Sequence, residues 1–118
     1  MNRISKNLKK IIIMLEPRMK RLMEKIRDED NTNYFQLSAE EKDVVIKRIA
    51  SITLTQTIDI LNNYTRDELP DIFEISIINL TSLEEQFIEM EMYEQSAMMR
   101  DSITILQNDL DELVKPKL

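Results

Sequence analysis

Apolar residues recur every three or four positions along most of the chain, the spacing that lines them up on one face of a helix. In residues 1–27 the stripe is Ile4, Leu8, Ile11, Ile12, Leu15, Met19, Leu22, Met23 and Ile26. Pro17 interrupts it. Its ring nitrogen has no hydrogen for the Ile13 carbonyl and crowds the preceding turn, so a kink or a break is expected near Glu16. Residues 28–37 are polar and irregular and read as a connector, with Tyr34, Phe35 and Leu37 expected to fill a gap in the core. Ser38-Ala39-Glu40-Glu41 is a capping box, in which the Ser oxygen takes the N–H three residues on and the Glu reaches back to the Ser N–H. It predicts a helix over 38–62 that buries Val45, Ile49, Ile52, Ile58 and Leu61. Ile52 to Ile60 also alternates in a β-branched pattern, as strands do. The cap and the lack of a partner strand decide for helix. After the turn at Asn62-Asn63-Tyr64-Thr65, Asp67 is the expected N-cap and Pro70 falls in the first turn, where a missing N–H is tolerated. Leu69, Ile72, Phe73, Ile77, Leu80, Leu83, Phe87 and Met90 then mark a helix over 68–91. Tyr93, Ala97, Met98, Ile103, Leu106, Leu110 and Leu113 mark a last one over 93–114, closed by Lys115, Pro116 and Lys117. The expectation is one all-α domain: a bundle of four to five helices whose last two fold back as an antiparallel hairpin.

Composition narrows the picture. The 118 residues include no Gly, Cys, His or Trp. Tight hairpins and left-handed helix caps usually recruit Gly, so a β fold of many turns is not expected. Without Cys or His there are no disulfides, thiolate sites or common zinc sites, and no EF-hand loop is present. No metal and no cofactor are expected. No secretion signal is legible in the basic start, and no apolar run approaches the roughly 20 residues that span a bilayer. A cytoplasmic location is the expectation.

Charge is unevenly spread. Residues 1–27 hold nine Lys/Arg against two Glu, a net of +7, and the remainder holds seven basic and twenty acidic groups, a net of −13. Lys9, Lys10, Arg18, Lys20, Arg21, Lys25 and Arg27 fall mostly off the apolar stripe. Three readings stay open: this basic helix folds back on its acidic body, it meets an acidic partner such as nucleic acid, or it rests on an anionic membrane.

The stretch from Leu83 to Leu113 carries the most specific pattern. It opens Leu83-Glu84, continues acid-rich, and then reads Tyr93-Glu94-Gln95-Ser96-Ala97-Met98-Met99-Arg100-Asp101-Ser102-Ile103. Residues 83–106 resemble the UVR motif, the helical hairpin of the excision-repair proteins UvrB and UvrC and of some bacterial stress-response adaptors. The likeness rests on Leu83-Glu84, Tyr93-Glu94, Ala97, Arg100-Asp101 and Ile103. Ser96 stands where the family commonly has its first Ala, and Met90 and Met92 replace charges near the turn. Membership implies a protein-docking hairpin and no catalysis.

The residues themselves point the same way. Ala97 is small enough for two backbones to approach. Tyr93 offers a large ring with a polar tip, useful at an interface. Arg100 and Asp101 point about a quarter turn apart, which leaves Arg100 to reach Glu94, Ser96 or a partner carboxylate. Met90, Met92, Met98 and Met99 cluster at the hairpin, where flexible thioethers suit an adaptable surface; Met92 and Met99 are the two expected to be exposed and Met98 the one expected to fill the core. Phe87, Met90, Met92, Tyr93, Ala97, Met99, Arg100 and Asp101 are thus the candidate partner-binding residues, with the basic residues above as the alternative, anion-binding set. The expected function is a non-enzymatic interaction module or adaptor that binds another protein or a second copy of itself as a homodimer. Nucleic-acid binding or regulation through the basic helix is the alternative, and membrane contact ranks last. Catalysis is not expected, because Glu40-Glu41, Glu84-Glu85 and Asp111-Glu112 lie in charge-rich helical contexts, not in a pocket that would shift their pKa values.

Overall fold

The computed structural model describes residues 3–30 and 33–116. Among these residues the chain forms five helices: α1 (Arg3–Lys6), α2 (Leu8–Asp30), α3 (Ala39–Leu61), α4 (Leu69–Glu89) and α5 (Tyr93–Val114). Short 3-10 turns at Tyr34–Gln36 and Arg66–Glu68 lead into α3 and α4. The all-α bundle and its C-terminal antiparallel hairpin are as the periodicity predicts. The alternating stretch Ile52–Ile60 is helical, inside α3.

Of the two alternatives at Pro17, a break into two helices does not occur there. Helix α2 runs through Pro17, and the interruption falls at Asn7, whose N–H bonds the Ile4 carbonyl. Pro17 and Ile13 both lie on the solvent face, where water can take the carbonyl that the ring leaves without a donor. At the start of α3 the capping box forms in full: the Ser38 hydroxyl accepts from the Glu41 N–H and the Glu41 carboxylate accepts from the Ser38 N–H, both at 3.1 Å. Asp67 is not the cap of α4. It lies within the 3-10 turn, and Glu68 occupies the cap position, its carboxylate accepting the Thr65 N–H at 2.8 Å. Pro70 is in the first turn, as expected.

Helices α3, α4 and α5 pack against one another in pairs, with α4 and α5 in the most extensive contact, and α2 lies across α3 and α4. The first turns of α2 share a cleft with Ile60 and Leu61, while Arg18 reaches Gln56 and Asp59 further back along α3, so α2 and α3 are antiparallel. Short connections reverse the chain at each later step, and α2 and α4 therefore run parallel. Glu16 of α2 accepts a 2.6 Å hydrogen bond from Ser82 of α4.

The core is built from Leu15, Met19, Ile49, Ile75, Leu80, Leu83, Met99 and Leu106, all but inaccessible to solvent. Small polar residues are buried among them. Thr53, Thr57, Ser76 and Ser102 each donate to the carbonyl four residues back, and the Thr57 and Ser76 hydroxyls meet at 2.9 Å between α3 and α4. A hydroxyl satisfied by its own helix can be buried at low cost. That is why the deepest line of α3 runs through Ile49, Ala50, Thr53 and Thr57, leaving the expected Val45, Ile52, Ile58 and Leu61 half-buried.

Candidate functional site

The hairpin turn is a Schellman motif. The Met92 N–H bonds the Phe87 carbonyl at 2.8 Å, and the Glu91 N–H bonds the Ile88 carbonyl at 3.0 Å. Glu91 holds the left-handed position that Gly usually takes, with φ of 58°. The turn ends α4, reverses the chain and starts α5 within three residues. It also divides the candidate residues sharply. Met90 and Tyr93, on either side of it, are 54% and 56% exposed, whereas Phe87 is 5% exposed and packs in the core. Ile88 is likewise exposed beside Met90.

Three of the expected partner-binding residues are core instead. Phe87, Ala97 and Met99 are buried, and Met99, expected to be exposed, is sealed completely. Met92 and Met98 are half-buried against the core. The buried residues of α5 are Ser96, Ala97, Met99, Ser102, Leu106 and Leu110. Ala97, Leu106 and Leu110 of the expected stripe are buried, Met98 and Ile103 are half-buried, Tyr93 and Leu113 are exposed, and Ser96, Met99 and Ser102 are added to it. Ser96 and Ser102 are small, and the Ser102 hydroxyl is tied to the Met98 carbonyl at 2.7 Å. They let neighbouring helices approach, and Met99 between them fills the resulting space.

The acidic members of the motif face the connector. Tyr34, only 1% exposed, donates its N–H to Glu94 at 2.8 Å and its hydroxyl to Asp101 at 2.6 Å. Burial pushes the phenol well above its ordinary range; the hydrogen bond and the negative charge of Asp101 push it further, and Arg100 opposes them. Lys42 lies over the ring, 5.6 Å from its centroid. Of the three connector residues expected in the core, Tyr34 is there, Leu37 is half-buried and Phe35 is exposed. Arg100 pairs with its neighbour Asp101 at 3.5 Å. Its long stem reaches back to a carboxylate that Tyr34 already holds in place. The guanidinium remains mostly exposed. The exposed set at the hairpin is therefore Ile88, Met90, Tyr93 and Arg100, with Phe35 on the adjoining turn. Ile88 was masked in the sequence by its place within an acid-rich helix, and Phe35 by its place in a connector.

No family model, curated protein or solved structure matches this chain. The likeness of residues 83–106 to the UVR motif thus rests on those residues alone.

The alternative, basic set lies on α2. Lys9, Lys10, Lys20, Arg21 and Lys25 are exposed on its outer side, while Arg18 folds back to Asp59 and Gln56 of α3. The side chains of Arg27 and Ile26 lie outside the described residues. Among the described residues no three carboxylates converge as a metal site, and no helix is long and apolar enough to cross a membrane.

Proposed function

We propose that this protein is a non-enzymatic interaction module that docks another protein through the tip of its C-terminal hairpin, as the UVR-like residues imply. The observation that carries this reading is the exposure of Met90 and Tyr93 on either side of a turn pinned by two backbone hydrogen bonds. A large side chain presented on ordered backbone loses little further freedom on binding. Tyr supplies apolar area with a polar end, and Met adapts to the shape it meets. Ile88 extends the apolar surface, and Arg100 adds a mostly exposed fork for a partner carboxylate. Phe87, Ala97 and Met99 support the site from beneath and do not touch the partner.

Crosslinking and affinity capture from the native cell test the proposal. The wild type is compared with Met90→Asp and Tyr93→Ala, each checked by circular dichroism for retained helix. A partner held by the wild type and lost from both variants supports docking at the tip. Equal capture by all three proteins rejects it.

A further inference from the structure

We infer that the protein self-associates by laying the outer stripe of α2 in one copy along the outer stripe of α4 in a second. The α2 stripe is Lys10, Met14, Pro17, Arg21 and Lys25, and the α4 stripe is Glu74, Ile78, Thr81, Glu85 and Glu89; all ten residues are exposed. Both advance by four, three, four and four residues. Steps of four and three are those of the seam between two paired helices. Laid side by side in parallel, the stripes oppose Lys10 to Glu74, Met14 to Ile78, Arg21 to Glu85 and Lys25 to Glu89. Lys10 to Lys25 and Glu74 to Glu89 each span fifteen residues, about 22 Å of helix, so the outer charge pairs meet together. The antiparallel overlay is poorer, because it sets Met14 against Glu85 and Arg21 against Ile78. Met14 and Ile78 are each 42% exposed, and Ile13 widens the apolar centre on the α2 side.

The occupant is a second copy for two reasons. A phosphate backbone needs cations within reach and has no use for aliphatic side chains in the middle of them, whereas the same chain carries a stripe of matching spacing and opposite charge. Within one copy the two stripes cannot meet, since α2 and α4 already pack through other faces, where Glu16 takes the Ser82 hydroxyl. Each α2–α4 contact joins two different surfaces, so how copies assemble depends on whether it closes. Because α2 and α4 run parallel, a two-fold axis along the helices can form it twice and close a dimer; any other arrangement adds copies head to tail.

The test is the mass of the full chain by sedimentation and light scattering, from low to high micromolar concentration, at low and high salt. The expected result is at least twice the 14.0 kDa monomer at low salt, falling toward the monomer as salt screens the pairs. The α2 variant Lys10→Glu/Arg21→Glu/Lys25→Glu and the α4 variant Glu74→Lys/Glu85→Lys/Glu89→Lys are each expected to be monomeric, and mixing the two restores association. Ile78→Asp, one exposed substitution, also gives a monomer. The hairpin-tip variants keep the wild-type mass, so failure here and failure of the tip to dock are read separately. A wild type that is monomeric throughout, or a mixture that stays monomeric, overturns the inference. So does a monomeric wild type that binds duplex DNA or anionic vesicles through the α2 cations.

Discussion

The Tyr34 hydroxyl donates a 2.6 Å hydrogen bond to Asp101, sixty-seven residues along the chain, while the Tyr34 N–H donates to Glu94 of the same helix. Two acids of the UVR-like stretch are thus engaged by the protein's own connector. They fasten the turn before α3 to the flank of α5. This flank is occupied, whereas Met90 and Tyr93 at the tip, the proposed docking surface, stand clear.

Tyr34→Phe removes the hydroxyl and keeps the ring. It should cost about 1–2 kcal/mol at neutral pH, the range for one hydrogen bond to a charged group that is partly in water. The pH dependence has a definite sign. The folded phenol is raised by burial and by Asp101, so near the ordinary value of 10.0 the unfolded chain releases this proton while the folded chain keeps it. The contribution is present below pH about 10 and is lost as pH rises above it. Urea midpoints of wild type and variant should therefore converge between neutral and strongly alkaline pH. A gap that stays constant would mean that the hydroxyl is not protected by folding.

Glu91→Gly should stabilise the protein. Glu91 has φ of 58°, where a Cβ crowds the backbone and Gly does not. The Schellman bonds from Glu91 and Met92 are backbone bonds and survive the change. After the added entropy of Gly in the unfolded chain, a gain of about 0.5–1 kcal/mol remains. Glu91→Val, β-branched at the same φ, should lose stability. Thermal melts of the two variants, read in opposite directions from wild type, check this.

Local chemistry made much of the fold legible. Ser38 and Glu41 mark the start of α3 because a capping box needs only two side chains and two N–H groups within four residues. The hairpin and both of its helices follow from periodicity. What was not legible depends on contacts made at a distance or on which of two neighbouring faces is deeper. The absence of Gly concealed how the hairpin turns, since Glu91 carries no turn signal. Ser96 and Ser102 read as polar although they are buried, so the buried face of α5 extends beyond the expected Ala97, Leu106 and Leu110 and takes in Met99. Pro17 read as a break because its exposure, which makes it tolerable, is a tertiary property. Tyr34 could be placed in the core by its size, but nothing local names Glu94 and Asp101 as its partners.

The two sides of the hairpin can be told apart energetically. Met99 is fully buried, so Met99→Ala removes packed atoms and leaves a cavity, with an expected loss of about 2–5 kcal/mol. Met90 is 54% exposed, and Met90→Ala should change stability by no more than about 0.5 kcal/mol. Denaturation midpoints that fell as far for Met90→Ala as for Met99→Ala would place the tip inside the core and remove the basis of the proposed docking.

Asn79 is a polar residue of the core that the described residues do not satisfy. It is fully buried on α4, one turn after Ser76, and neither its amide oxygen nor its amide nitrogen has a partner among the described residues. The Thr57 and Ser76 hydroxyls have two protons between them, shared among the Thr53 and Ile72 carbonyls and their own 2.9 Å contact. A buried amide left in this condition costs about 1–3 kcal/mol, and Leu, of similar length and fully apolar, avoids that cost. Asn79→Leu should raise the urea midpoint accordingly, while Asn79→Ala, which opens space as well, should gain less or nothing. The expected return is choice among packings. One buried amide disfavours registers that would place it against wholly apolar neighbours, as a single Asn does in paired helices. The Leu variant should thus be more stable yet less uniquely packed, with amide resonances of α3 and α4 broadened or doubled in its NMR spectrum. A variant that is more stable and equally sharp would leave Asn79 as a cost without a structural return, and one that is less stable would show that its amide is paired after all.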